Sequence, residues 1–141
     1  MIRLDTQQRE QIEVLIKHLR AQLPELLALY RFGSWGGIHE RADSDLDLAV
    51  LSRQSLPPEV CWEFAQQLAA LAKRQVDLVD LRRASTVMRA QVIANGERLF
   101  CADSRVCDEF EDGVFSAYAR LNEERRAILQ DIQERGSVYG G

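Results

Sequence analysis

The chain has 141 residues, 46% of them hydrophobic and 28% charged, with a formal net charge of −4. This composition indicates one globular domain with a real core, and the acidic balance argues against a broad surface that follows nucleic-acid phosphates. No apolar run approaches the length of a membrane span, and the amino terminus lacks a signal-peptide pattern, so we expect a cytoplasmic protein with reduced cysteines.

Helical and strand patterns alternate along the chain. Asp5 stands at capping-box spacing from Gln8 and starts the first helix, which Pro24 ends. The run from Leu26 to Phe32 is short and apolar, so we predict a buried strand, although periodicity alone leaves a helix open. The predicted elements are a helix over 5–22, strands over 26–32 and 46–51, a helix from 55–59 to 74, a strand over 76–81, a helix from 85–86 to 95, a short strand over 98–101 and a helix over 103–135.

Strands separated by helices predict an α/β (α+β) fold, a small mixed sheet flanked by helices, in a single domain with its core at about residues 5–102. The last helix, about residues 103–135, would be about 45 Å long, longer than the diameter of about 35–40 Å of a compact chain of this size. We therefore expect part of it to project and its apolar stripe to be covered by a partner protein or by self-association. The alternative is a helix kinked near Gly113 and packed wholly within the chain.

Two aspartates at the start of the second predicted strand indicate a metal site. Asp45 and Asp47 alternate with leucines, so both carboxylates lie on one face of the strand, roughly 6–7 Å apart. Like charges this close repel each other unless something positive lies between them. A divalent hard cation, which prefers oxygen ligands, fits best.

A glycine–serine turn precedes these aspartates. Gly33 allows a ligand to approach the backbone, and Ser34 at a helix start offers a hydroxyl and free N–H groups to a phosphate. With one or two Mg²⁺ ions on the aspartates, such a site can support displacement at phosphorus. The stretch therefore predicts a metal–phosphate site.

A third carboxylate is expected at such a site. Asp77 is the candidate, because a charge between apolar strand residues is costly unless it is paired or metal-bound. Asp80 is the alternative. It faces the other side of the strand, and we expect solvent to reach it where the chain turns towards Arg82.

The run GSWGGIHERADSDLDLAVL resembles the GSx10DxD signature of the minimal nucleotidyltransferases (MNT) of the DNA polymerase β-like superfamily, with residues 35–44 as the ten intervening positions. QVDLVDL at 75–81 resembles the strand that carries the family's third catalytic carboxylate, at Asp77. ANGERLFCAD at 94–103, followed by a long helix, is also similar to the end of these small domains. The resemblance covers nearly the whole chain.

Within that superfamily the chain most resembles the MntA-type antitoxins of HEPN–MNT toxin–antitoxin pairs, which are type VII-like. The resemblance implies a polymerase β-like fold and a protein adenylyltransferase that transfers AMP from ATP, with two Mg²⁺ ions, to a tyrosine of the cognate HEPN RNase toxin. It also implies a hetero-oligomer with that toxin, with no direct contact to nucleic acid or membrane.

The family's site residues match positions of this sequence. Gly33 and Ser34 would hold triphosphate oxygens, Asp45 and Asp47 would hold the metal ions, and Asp77 would bind one metal and help activate the acceptor hydroxyl.

One departure leaves alternatives open. Relatives often read GSxARG, whereas residues 36–38 here are Gly-Gly-Ile, so the usual arginine is missing and only Arg41 or His39 could replace it. An antitoxin that silences its partner by binding alone is one alternative. Transfer to a small molecule such as an aminoglycoside is another, which the lack of a second domain disfavours.

Overall fold

The computed structural model describes residues 6–33 and 45–139, with side chains as far as Arg135. The eight predicted helices and strands are present, with bounds that differ by a few residues, and the predicted cap Asp5 lies outside the described residues. The elements are α1 (Thr6–Gln22), β1 (Leu26–Phe32), β2 (Leu46–Ser52), α2 (Pro58–Ala72), β3 (Val76–Asp80), α3 (Thr86–Asn95), β4 (Glu97–Cys101) and α4 (Ser104–Tyr139).

The four strands form a mixed sheet in the order β3-β2-β1-β4. β1 pairs antiparallel with both β2 and β4, whereas β2 and β3 are parallel. The parallel pair requires a crossover connection, which α2 supplies. The expectation of a small mixed sheet flanked by helices is confirmed, and the apolar run of β1 is a strand buried at its centre.

Alternate side chains of β2 point to opposite faces of the sheet, and each face has its own core. Leu46, Leu48 and Val50 pack with α1 and α2 on one face. Ala49 and Leu51 pack with α3 and the start of α4 on the other. Asp47 lies two residues before Ala49 on the strand and therefore points to the same face, the one covered by α3 and α4.

The start of α4 is fixed against β1. The Cys107 thiol donates to the Leu27 carbonyl at 3.4 Å, and the Tyr30 hydroxyl donates to Oε2 of Glu111 at 2.9 Å. Because later residues of α4 meet later residues of β1, the helix runs in the direction of β1, towards the end of the sheet where Gly33 lies.

The second half of α4 leaves the core. The helix has 36 residues and continues through Gly113 without a break, which corresponds to about 54 Å. Every described side chain from Glu123 to Arg135 is exposed. Three of them are large and apolar, with exposed fractions of 57–62%: Ile128, Leu129 and Ile132. Among the described residues, no helix combines the length and the apolar character that a bilayer span requires.

Candidate active site

The predicted carboxylates meet where parallel strands begin. Asp47 of β2 is paired in register with Asp77 of β3, and Phe32 of β1 lies opposite Asp47 on the other side. Gly33 directly follows Phe32. Strand order therefore places Gly33, Asp47 and Asp77 side by side across three strands, although the three residues are far apart in the sequence.

Gly33 brings backbone against the Asp47 carboxylate. Its φ is +78°, in the left-handed region that side chains other than glycine rarely adopt. A Cβ atom at this position would overlap Oδ2 of Asp47 and lie 3.1 Å from its Cγ. Glycine is thus required here both by the backbone angle and by the close approach.

The electrostatics of Asp47 reflect crowded negative charge. Its pKa is raised above the ordinary value, first by burial, then by the charges of Asp77 and Asp45, and by a hydrogen bond with the Asp77 side chain. None of these causes is a neighbouring cation. The folded chain therefore holds a carboxylate whose ionised form lacks compensation from the described residues, which is the arrangement a metal ion would relieve.

Asp80 does not join this group. It is 6% exposed, and its Oδ2 accepts from the Leu56 N–H at 2.8 Å while Oδ1 accepts from the Arg82 N–H at 3.0 Å. Nε of Arg83 lies 3.9 Å from its carboxylate. Our expectation that solvent reaches Asp80 is wrong: the side chain is buried and ties the loop before α2 to the turn after β3.

Of the predicted site residues, the structure brings together Gly33, Asp47 and Asp77, with Asp45 close enough to act on the Asp47 charge. Ser34 lies outside the described residues. The same holds for the Gly-Gly-Ile run at 36–38 and for His39 and Arg41, the two candidates to replace the missing arginine.

A groove beside Asp77 is a feature that sequence reasoning missed. It has a volume of about 860 Å³ and lies between α2 and β3, with Trp62, Ala65, Ala69, Asp77 and Leu78 among its lining residues. Trp62 is 64% exposed. A tryptophan on a helix face that otherwise carries small or polar residues is the one sequence signal that could have indicated it. We call this feature the α2–β3 groove.

Comparison with known proteins agrees with this geometry. The family model described as polymerase beta, nucleotidyltransferase matches residues 13–105. The chain belongs to this nucleotidyltransferase family. It is 41% identical over 119 residues to the protein adenylyltransferase MntA of Shewanella oneidensis, covering 84% of each chain.

Two similar solved structures are toxin–antitoxin complexes. One is a tri-AMPylated Shewanella oneidensis HEPN toxin with its MNT antitoxin, matched at TM-score 0.74 with 38% identity, covering 89% of this chain and 98% of that one. The other is a toxin–antitoxin with AMP-PNP, matched at TM-score 0.75 with 38% identity and the same coverage.

The nucleotidyltransferase site fits a hard divalent cation bound together with a nucleotide. Within the described part of the chain, no three ligand side chains converge tightly enough to enclose an ion by themselves. Mg²⁺ in proteins is typically bound by one or two carboxylates plus substrate phosphates. Asp47 and Asp77 supply such carboxylates, and phosphate oxygens of the nucleotide would complete the ligand set.

The raised pKa of Asp47 gives a testable pH dependence. Because the folded state binds the Asp47 proton more tightly than the unfolded chain, this stabilisation is fully present below the unfolded pKa and is lost as pH rises through the folded pKa. In EDTA, the free energy of unfolding should therefore fall over that range more steeply than in an Asp47→Asn variant, and Mg²⁺ should reverse the fall. Urea unfolding from pH 4 to 7 measures this, and an identical slope in the variant would contradict it.

Proposed function

We propose that this nucleotidyltransferase is an antitoxin that transfers AMP from Mg-ATP to a tyrosine of a cognate HEPN toxin and thereby neutralises it. The observation that carries the proposal is the register of Asp47 with Asp77 on parallel strands, with the Gly33 backbone packed against the same carboxylate. This arrangement supports a metal-binding role for the two carboxylates and a triphosphate-binding role for the turn beside them, within a chain 41% identical to a protein adenylyltransferase.

Each residue has a role in this reaction. Gly33 and Ser34 hold triphosphate oxygens, the first by leaving room for close approach and the second through its hydroxyl. Asp45, Asp47 and Asp77 hold two Mg²⁺ ions, which when bound neutralise charge on the phosphates. Asp77, at the edge of the group, also accepts the proton of the acceptor hydroxyl. Positioning and charge neutralisation account for most of the rate in transfers of this class.

The proposed partner is a protein rather than a small molecule. The relatives in the two solved complexes are each bound to a toxin, and in one of them the toxin carries AMP. The matches extend over 89% of this chain, so a partner-bound hetero-oligomer is the state we propose for it in the cytoplasm. Neither nucleic acid nor a membrane contributes to this activity.

The projecting part of α4 is the element we propose to hold the toxin. In this proposal residues 1–141 form one domain, whose core includes Cys107 and Val114 of α4. The helix contributes little to that core after Leu121. The helix extends past the same end of the sheet as Gly33 and Asp47, and Ile128, Leu129 and Ile132 expose an apolar stripe on it. A protein bound to this stripe would lie on the α3–α4 side of the sheet, the side that Asp47 faces.

A pair of matched variants on β3 tests the assignment of roles. Asp77→Asn should lower the rate of AMP transfer by about 100-fold or more, the range for loss of a positioned proton acceptor. Asp80→Asn should keep the transfer rate of the folded protein. It should instead lower the free energy of unfolding by about 1–3 kcal/mol, because one of the two backbone amides that donate to this side chain loses its acceptor.

Transfer rates with saturating ATP and urea unfolding curves for both variants provide the comparison. Loss of transfer in a stably folded Asp80→Asn, with normal transfer in Asp77→Asn, would exchange the roles of the two residues and refute the site as described.

A further inference from the structure

β3 lies at an edge of the sheet, and its backbone presents an ordered set of groups to the outside. The Leu46 N–H donates to the Gln75 carbonyl at 2.9 Å, and the Leu81 N–H donates to the Val50 carbonyl at 3.0 Å. In a parallel ladder these bonds direct the odd-numbered residues towards β2, so the backbone groups of Val76, Leu78 and Asp80 point to the other side. Two of the outward carbonyls are already used: that of Leu78 accepts from the Cys61 thiol at 3.5 Å, and that of Asp80 accepts from the N–H groups of the turn after β3 at 3.0 Å. That side is the α2–β3 groove.

The opposite wall of the groove comes from one face of α2. Cys61, Ala65 and Ala69 are spaced by four residues and therefore lie above one another on the helix. Because these side chains are small, they leave room for the groove, and Trp62 lies at its rim, 64% exposed. A volume of about 860 Å³ is within the range of about 300–1,000 Å³ that ligand sites occupy.

The groove is continuous with the active site through Asp77. This residue lines the groove and also interacts with Asp47. A segment that lies along β3 at the level of Asp77 therefore borders the active site.

Strand order indicates which reactant enters from this side. The order β3-β2-β1 places Asp77 on one side of Asp47 and Gly33 on the other. Gly33 and Ser34 are the proposed holders of the leaving pyrophosphate. Because the attacking and leaving oxygens of a phosphoryl displacement lie roughly in line through phosphorus, the acceptor must approach from the β3 side.

We propose that an extended segment of the acceptor protein docks in the α2–β3 groove, pairs with the outer edge of β3 as an added strand, and rests an apolar side chain on Trp62. Strand addition to an open sheet edge supplies affinity through main-chain hydrogen bonds, which the outward N–H groups of Val76 and Leu78 and the outward carbonyl of Val76 can make. A helical segment uses its backbone groups internally except at its ends, so it cannot pair along the strand in this way. This inference rests on the proposed AMP transfer.

Docking in this way brings the acceptor hydroxyl to Asp77. The hydroxyl oxygen forms a bond to the α-phosphorus of ATP while the bond from that phosphorus to the bridging oxygen breaks, so pyrophosphate leaves. The hydroxyl proton passes to the Asp77 carboxylate. An exposed aromatic side chain in such a groove is the kind of anchor that carries much of the energy of an interface.

Trp62→Ala, with Leu71→Ala as its control, tests which molecule binds in the α2–β3 groove. Both residues are exposed apolar side chains of α2, but only Trp62 lines the groove. Trp62→Ala should raise the KM for the HEPN toxin by about tenfold or more and leave the affinity for AMP-PNP with Mg²⁺ unchanged, whereas Leu71→Ala should change neither. Weaker AMP-PNP binding by Trp62→Ala would assign the groove to the nucleotide and overturn the proposal, as would an unchanged KM.

Amide hydrogen exchange separates failure of this inference from failure of the proposed function. In the complex of the intact chain with the toxin, the amide of Leu78 should exchange more slowly, whereas those of Asp77 and Val79, which face β2, should change little. This pattern supports strand addition even if no AMP is transferred. Unchanged exchange at Leu78 in a complex that does transfer AMP would refute the groove and leave the function standing.

Discussion

An Asp47→Asn variant is expected to fold normally and to lose AMP transfer by about 10³-fold or more, because the metal ion that this carboxylate is proposed to hold would neutralise charge on the phosphates in the transition state. Asp47 is the centre of the site: it lies between Asp77 and Gly33 and its ionised form is disfavoured by burial and by two neighbouring carboxylates. A neutral amide removes that repulsion, so stability without metal should not fall. The same change removes a proposed metal ligand, so Mg²⁺ should no longer stabilise the protein.

Asp112→Asn is the control for charge alone. Asp112 is an exposed residue of α4, so this variant removes one negative charge from the chain away from the carboxylate group and should keep wild-type transfer. Transfer rates at saturating Mg-ATP, together with melting temperatures in EDTA and in Mg²⁺, provide the measurements. Wild-type transfer by a folded Asp47→Asn would rule out the metal role of this carboxylate.

Gly33→Ala should have the second largest effect, a fall in transfer of about 100-fold or more, the cost that a misplacement of about 1 Å can have in an active site. The added Cβ would overlap Oδ2 of Asp47 and push the carboxylate from its position. The φ of +78° adds backbone strain of about 1–2 kcal/mol for any residue with a Cβ. Stability should therefore fall together with activity.

Gly113→Ala is the matched control, since it makes the same substitution in an open part of α4. Apart from the neighbouring backbone of α4 itself, no atom of the described residues lies within 4 Å of the position that its Cβ would take. Alanine is favoured over glycine in a helix by about 0.5–1 kcal/mol, so this variant should be slightly more stable and equally active. If Gly33→Ala retained full transfer, the close approach of the backbone to Asp47 would have no part in catalysis.

The parts of the site that depend on local sequence patterns could be predicted from the sequence. Alternation with leucines is enough to place Asp45 and Asp47 on one face, and the apolar neighbours of Asp77 mark its charge as one that needs a partner. The ten-residue spacing in the GSx10DxD resemblance connects these aspartates with Gly33. That Asp47 and Asp77 stand in register, however, depends on the parallel pairing of β2 and β3, which neither strand specifies alone.

Features that depend on distant segments could not be predicted. The burial of Asp80 depends on a hydrogen bond to the amide of Leu56, 24 residues earlier. Because the sequence does not show that bond, the position of Asp80 at the end of a strand indicated exposure to solvent instead. The α2–β3 groove likewise requires small residues of α2 to face the open edge of β3. No periodicity in either segment shows that the two enclose a volume.

The intact mass of the cognate HEPN toxin, after incubation with this protein and Mg-ATP, tests the central claim most directly. AMP transfer predicts a mass increase of one or more AMP groups on the toxin, located on tyrosine, that is absent when Asp47→Asn replaces the wild-type protein. A toxin that is bound and silenced while its mass stays unchanged would contradict enzymatic neutralisation and would leave inhibition by binding alone.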